Sequence, residues 1–403
     1  MYQPVADTLV VTFTYGVSLR TWLDTGGIGR EMALYIALAD HYDKILFLTY
    51  GGAGESKILA DALPAELQSK FRVVSNESKL DCSEFAATAP ALILAALDGA
   101  KRVVVKTNQM AGGDVAVKIA DHLLAAGIQT GLVARGGYLW SRMAAYEYGP
   151  TSCEARKAAE VERALCTAAN VVVGTTKAMI DDLAWRYTLD PSMTRLIPNY
   201  VIAPSDPPRS AAERIPGLIL YAGQLVHRKR VDVLIEAVSQ LEPELRETVT
   251  LEIIGDGPEL ENLKAQAAPL GKCVVFRSRL PHEQLLVRMS ECSLYAQASE
   301  LEGHPKTVLE AMAQGATVLI ANTPGLGEVV MHGISGLRLS LDAESFSRAF
   351  TELLNDSDWR DSIGSGAARM INSTIGLDAT IPKELESHAF ALATPRLELR
   401  RCA

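Results

Sequence analysis

The chain is poor in the features that mark several classes of protein. Its six cysteines (Cys82, Cys153, Cys166, Cys273, Cys292 and Cys402) are scattered over 403 residues with no C-x-x-C spacing. Neither a zinc site nor a disulfide framework is expected from them, and reduced cytoplasmic thiols are the default. No apolar run approaches the roughly 18 residues of a membrane span. Lysine and arginine form no basic block, and the net charge is -9, so no nucleic-acid partner is expected. The first residues, Met-Tyr-Gln-Pro-Val-Ala-Asp-Thr, lack a basic stretch followed by an apolar one, so no signal peptide is expected. No acidic pair stands with supporting ligands, and no metal is expected.

What is present is an ordinary globular composition, 48% hydrophobic and 22% charged, in a chain long enough for two domains. Short β-branched runs alternate with helical patterns throughout, the signature of βαβ units and parallel sheets. In the first half, strands are expected at Thr8 to Phe13, Ile45 to Leu48, Arg72 to Val74, Arg102 to Lys106, Ile128 to Ala134 and Val171 to Gly174. A loop from Ser18 to Gly29, containing Gly26, Gly27 and Gly29, precedes a helix from about Arg30. Ligands of such sheets lie at the carboxyl ends of strands. That rule makes this glycine loop, Lys106 and Asn108 of Lys106-Thr107-Asn108-Gln109, and Arg135 and Tyr138 of Arg135-Gly136-Gly137-Tyr138 candidates for an acceptor or phosphate site. A glycine turn with positive φ, or exposed strand ends, would explain the same residues.

Pro198-Asn199-Tyr200-Val201 and Pro204-Ser205-Asp206-Pro207-Pro208 read as a linker. The second half restarts with a strand at Leu218 to Ala222, and further strands are expected at Val249 to Ile254, Val274 to Phe276, Leu294 to Gln297 and Thr317 to Ala321. The division expected is an amino-terminal domain over 1–200, a linker over 201–216, a second domain over 217–372, and a helical tail over 373–403 that returns to the first domain. Two amphipathic helices follow the last strand.

The most informative stretch is Glu302 to Gly315, E-G-H-P-K-T-V-L-E-A-M-A-Q-G. Pro305 suits an early helical position, and Gly315 stops the run. The first-turn N–H groups, with the positive end of the helix dipole, make an anion site. Glu302 and Glu310 frame that turn, and an ionised carboxylate accepts two hydroxyls at once, as a sugar or ribose offers. Acidic residues are also common at helix starts for dipole reasons alone.

This block closely resembles the E-x7-E signature of retaining GT-B glycosyltransferases of the family 4 type, including the flanking G-x-P and the E-A-M-A-x-G tail. The resemblance implies two Rossmann-like parallel-sheet α/β domains facing a central cleft, a nucleoside-diphosphate sugar as donor, and no cofactor. It implies roles as well: Lys229, with Arg228 and Gln224 nearby, for the donor diphosphate; Glu310 for the nucleotide ribose; Glu302 for the transferred sugar. Lys306 and Thr307 would present the helix amino terminus, with Gly303, His304 and Val308 shaping the turn. Gly255 and Gly257 match the G-D-G-P loop, and Gly325 and Glu328 the P-G-x-x-E segment. Glu302, Lys229 and Arg135 stand as the catalytic set.

Two departures from the pattern stand out. Gln224 replaces a usual arginine, so half of the diphosphate clamp is neutral unless Arg228 or Arg230 substitutes. Arg135-Gly136-Gly137-Tyr138 occupies the place of a histidine segment, and His122 reads as a surface residue. The activity expected is a retaining, metal-independent transfer of a sugar to a carbohydrate, lipid-linked or other small acceptor, in bacterial polysaccharide, glycolipid or glycoconjugate synthesis. Lipid-linked acceptors would bring peripheral contact with the inner membrane face. The alternatives are a non-catalytic nucleotide-sugar-binding partner subunit, or a GT-B epimerase or phosphorylase; the carboxylates, histidine or pyridoxal lysine these enzymes need form no visible constellation.

Overall fold

A computed structural model describes residues 5–204 and 206–394; Ser205 of the expected linker, Cys402 and the last residues of the expected tail lie outside the described residues. The chain divides into two compact units, Met1–Pro198 with Thr380–Ala403, and Asn199–Ala379.

The first unit is built on seven strands: β1 (Ala6–Thr12), β2 (Tyr42–Leu48), β3 (Phe71–Val74), β4 (Arg102–Thr107), β5 (Gln129–Arg135), β6 (Val171–Gly174) and β7 (Thr194–Leu196). They form one parallel sheet in the order β3-β2-β1-β4-β5-β6-β7. Val10 pairs with Leu46 on one side and Val105 on the other, and all three are buried. Near-continuous apolar strands suit a sheet covered on both faces. Strand order reverses between β1 and β4, so their following loops part there.

The second unit has β8 (Ile215–Ala222), β9 (Thr250–Ile254), β10 (Val274–Arg277), β11 (Cys292–Gln297), β12 (Thr317–Ala321) and β13 (Leu337–Leu339). Its parallel sheet runs β10-β9-β8-β11-β12-β13, with the reversal between β8 and β11. The loops after those two strands carry Lys229 and Glu302.

The structure departs from the sequence reading in several places. The expected loop Ser18 to Gly29 contains a helix, Leu19–Asp24, capped reciprocally by Ser18 and Thr21. The buried Glu55 carboxylate completes that cap by accepting from the Leu19 and Arg20 N–H groups at 2.8 and 3.0 Å. Gly26, at φ +71°, ends this helix, Gly27 precedes the next, and Gly29 lies inside it, in Ile28–Leu38. Helix Trp140–Tyr148 and the edge strands β7 and β13 were also not expected.

Much of segment 201–216 belongs to the second unit. Val201 N–H donates to the Ile375 carbonyl at 3.1 Å, and β8 already begins at Ile215. The guanidinium of Arg214 donates to the Ser290, Cys292 and Gly315 carbonyls. The helix Leu377–Ala393 presses on the first sheet: a Cβ at Gly131 of β5 would lie 2.7 Å from the Ala391 carbonyl carbon.

Candidate functional site

The loop after β8 is shaped by close backbone approaches. A Cβ at Gly255 would collide with the Gly223 carbonyl, and one at Gly257 with the Leu225 carbonyl. The G-D-G-P turn therefore needs its glycines to pack on the Gly223–Leu225 segment, which it also holds through Leu225 N–H to the Asp256 carbonyl at 2.9 Å. Gln224 is exposed, and its carbonyl accepts from the buried Tyr221 hydroxyl at 3.0 Å. A 3-10 turn, His227–Lys229, then leads through Arg230 into helix Val231–Ser239. Arg230 is occupied by Asp232 and Glu300, so it stands apart from the role of spare diphosphate cation. Glu300 N–H donates to the Arg228 carbonyl at 2.8 Å and ties this loop to the one after β11.

Glu302 is the centre of the assembly. Lys229 Nζ and Glu302 Oε1 are in contact, and Arg228 Nη1 reaches Oε2 at 3.4 Å and the Leu301 carbonyl at 3.1 Å. Gln297 Nε2, at the end of β11, donates to Oε1 at 2.8 Å. Burial pushes the Glu302 carboxyl upward, but the Lys229 and Arg228 charges outweigh it and hold its pKa below the usual value. Burial lowers the Lys229 ammonium against the pull of Glu302. Arg228 Nε is buried without a hydrogen-bond partner. Gly325 supports the cluster from the P-G-x-x-E segment: at φ +82°, its missing Cβ leaves room for the Glu302 carbonyl, and Glu302 N–H donates to the Pro324 carbonyl at 3.1 Å. Glu328 is exposed.

The helix Lys306–Ala313 starts at Pro305 with no side-chain cap. Thr307 Oγ1 lies 3.4 Å from Gln297 Oε1, so Gln297 links Glu302 to this helix start. Val308 is buried. His304 is held by Asn199, which donates its N–H to Nδ1 at 3.1 Å and its side-chain amide to the His304 carbonyl at 2.7 Å. Lys306 Nζ sits 6.0 Å from the Tyr200 ring centroid. Glu310, one turn further on, meets His282 Nε2 at 2.9 Å.

In the first unit two side chains read as facing a ligand point elsewhere. Lys106 is buried and ion-paired to Glu384 at 2.6 Å, and Arg135 Nη1 lies 3.1 Å from the other Glu384 oxygen. His388, hydrogen-bonded to Tyr42 at 2.6 Å, completes this cluster on the last helix. Lys106 and Arg135 thus bind the chain's own carboxylate rather than standing at open strand ends. Asn108 continues the sheet by donating its N–H to the Thr12 carbonyl at 2.9 Å. Tyr138 follows β5, half-buried. Where the order reverses, between β1 and β4, the Tyr15 hydroxyl donates to Asp114, and Tyr50 packs edge-on against Tyr15.

Gln297, His282, Asn199, Tyr15 and Asp114 were missed from sequence. Gln297 alone carried a signal, as the polar last residue of an apolar strand. Among the described residues no group of three or more His, Cys, Asp or Glu could hold a metal ion.

Residues 205–370, which carry these switch-point loops with their cations, Glu302 and the start of helix Lys306–Ala313, match the family of glycosyl transferases group 1. That match covers most of the second unit, and the chain has the GT-B fold. Over 228 residues it is 29% identical to the D-inositol 3-phosphate glycosyltransferase of Streptomyces bingchenggensis, an alignment covering 51% of this chain and 50% of that protein. The chain thus spans about half the length of the curated relatives it matches. It is 31% identical over 149 residues to the GDP-mannose-dependent alpha-(1-6)-phosphatidylinositol monomannoside mannosyltransferase of Mycolicibacterium smegmatis, covering 34% of this chain and 39% of that one. Among solved structures, Anabaena HepE in complex with UDP superposes with a TM-score of 0.70 at 18% identity, covering 94% of this chain and 99% of HepE. Sucrose-phosphate synthase from Thermosynechococcus elongatus gives 0.72 at 18% identity, covering 96% and 99%.

Proposed function

We propose that the protein is a retaining glycosyltransferase that moves a sugar from a nucleoside-diphosphate donor to an acceptor hydroxyl, without a metal ion. The observation that carries this reading is the cluster of Lys229, Arg228 and Glu302 beside the uncapped start of helix Lys306–Ala313. Lys229, Arg228 and the helix N–H groups stabilise the charge that develops on the leaving diphosphate, preorganised for it by the fold. Glu310 receives ribose hydroxyls and Glu302 those of the transferred sugar.

The bond from the anomeric carbon to the phosphate oxygen breaks, the acceptor oxygen bonds that carbon on the same face, and its proton passes to the departing phosphate. Glu302 is engaged by two cations and an amide, which suits orientation of the sugar better than covalent attack. The half-buried pair Tyr15 and Asp114, at the switch point of the first sheet, is where a polyhydroxyl acceptor is bound in this reading. Synthesis of a polysaccharide, glycolipid or glycoconjugate is the setting it suits.

The test is a thermal-shift and hydrolysis screen with UDP-, GDP- and dTDP-sugars on wild type, Glu310→Ala and Lys229→Ala. One nucleotide should stabilise the wild type and neither variant. Binding with no turnover on pooled acceptors would favour the partner-subunit reading, for which neutral Gln224 is the structural support. No binding at all would sink the donor site.

A further inference from the structure

His282 and Glu310 are 28 residues apart and come from different helices, yet Nε2 lies 2.9 Å from Oε1. His282 opens helix His282–Glu291 directly after Pro281, and Glu310 sits inside Lys306–Ala313. Both side chains are withdrawn from solvent, at 13% and 4% exposure. A carboxylate only accepts, so the shared proton belongs to Nε2, which carries one both in the matching neutral tautomer and in the imidazolium.

The geometry points to His282 as a positioning residue for nucleotide recognition: by holding one oxygen of Glu310, it fixes the carboxylate plane for the ribose hydroxyls of the donor. The inference rests on the reading of Glu310 as the ribose-gripping group. A glutamate has three side-chain torsions, and its terminal one is broad. Fixing it in advance removes an ordering cost that nucleotide binding would otherwise carry. The two glutamates of the site are held by different chemistry. Glu302 lies against Lys229 and Arg228, whose charge suits a phosphate-bearing neighbourhood. Glu310 is met by an imidazole, a directional donor from a planar ring at the start of helix His282–Glu291. A histidine placed only to fill space would not need its Nε2 on the carboxylate.

The experiment uses the full chain and calorimetric titration of UDP, GDP, dTDP, the 2′- and 3′-deoxy analogues of UDP and GDP, and inorganic pyrophosphate. The variants are His282→Gln, whose amide reaches as Nε2 does, His282→Asn, which is too short, and His282→Phe. The nucleoside diphosphate that binds wild type should weaken about tenfold in the Asn and Phe variants, a loss of about 1.4 kcal/mol, and recover in Gln. Pyrophosphate affinity should not move, and the deoxy analogue lacking the gripped hydroxyl should lose less. In transfer assays the donor KM rises while kcat holds. Adding His282→Phe to Glu310→Ala should cost nothing further. Wild-type affinity in the Asn and Phe variants, or equal losses for pyrophosphate, overturns the inference while leaving the donor site standing. If none of UDP, GDP and dTDP binds the wild type, both readings fall.

Discussion

The Lys229 ammonium and the Glu302 carboxylate form an ion pair between the loops that leave β8 and β11. Arg228 joins from the same side, and Gln297 supplies an amide donor from below. Under the proposed function, an incoming diphosphate meets a lysine that already holds an anion, and must compete with Glu302 for it.

Neutralising that competitor should separate binding from transfer. Glu302→Gln is expected to tighten bare UDP or GDP, by up to about tenfold, while transfer falls by about 10²–10³-fold because the sugar is no longer oriented. Isothermal titration beside a coupled transfer assay reads both. Weaker binding of the bare nucleotide would refute the competition.

Gln224 invites the opposite change. It is exposed at the mouth of the same loop, so Gln224→Arg adds a cation without disturbing the core. Nucleoside-diphosphate affinity should rise by roughly 1.5–3 kcal/mol at most, and the gain should shrink as salt is raised. Titration at two ionic strengths checks it; a salt-independent change would mean the arginine acts through packing.

Gly325→Ala tests the support beneath Glu302. Its φ of +82° and the clash of a new Cβ with the Glu302 carbonyl both oppose the side chain. A stability loss of more than about 1 kcal/mol is expected, with donor binding lost well before unfolding. Denaturant titration and thermal shift with nucleotide distinguish the two effects.

The buried cluster of the first unit makes stability depend on pH. Burial would raise the Glu384 carboxyl, but Lys106 and Arg135 hold it well below its usual value of 4.5, and burial lowers His388 from 6.5. Both groups take up protons more readily in the unfolded chain. Their stabilisation is therefore full above those values and is lost as pH falls, first through the histidine range and then through the carboxylate range. Melting temperature should drop on acidification in two stages, and His388→Gln should remove the upper one. Glu384→Gln should cost about 3–5 kcal/mol at neutral pH by stranding Lys106 and Arg135, whereas replacing all three together, as Lys106→Met, Arg135→Met and Glu384→Leu, should restore most of it.

The sequence showed the parallel strands because buried apolar runs such as Leu218–Ala222 and Thr317–Ala321 are written locally. It singled out Lys229, Glu302 and Glu310 as candidates because each stands in a local motif. It could not show what those side chains touch. Glu384 lies 278 residues from Lys106, and nothing near either announces the pairing. Lys106 looked like a strand-end ligand group for that reason. Helix Leu19–Asp24 was hidden likewise, since part of its cap comes from Glu55. His282 stands in no motif, and only the approach of two helices gives it a carboxylate to hold.

The helix Leu377–Ala393 has a consequence for how the molecule is made. The first unit takes Glu384 and His388 from it, although the rest of that unit ends at Pro198. A ribosome emits the first seven strands early, yet must translate the whole second unit before Lys106 and Arg135 receive their counter-ion. The unit begun first is the one finished last. A nascent chain arrested near residue 200 should therefore remain protease-sensitive in its amino-terminal half, and a separately supplied 377–394 peptide should protect it.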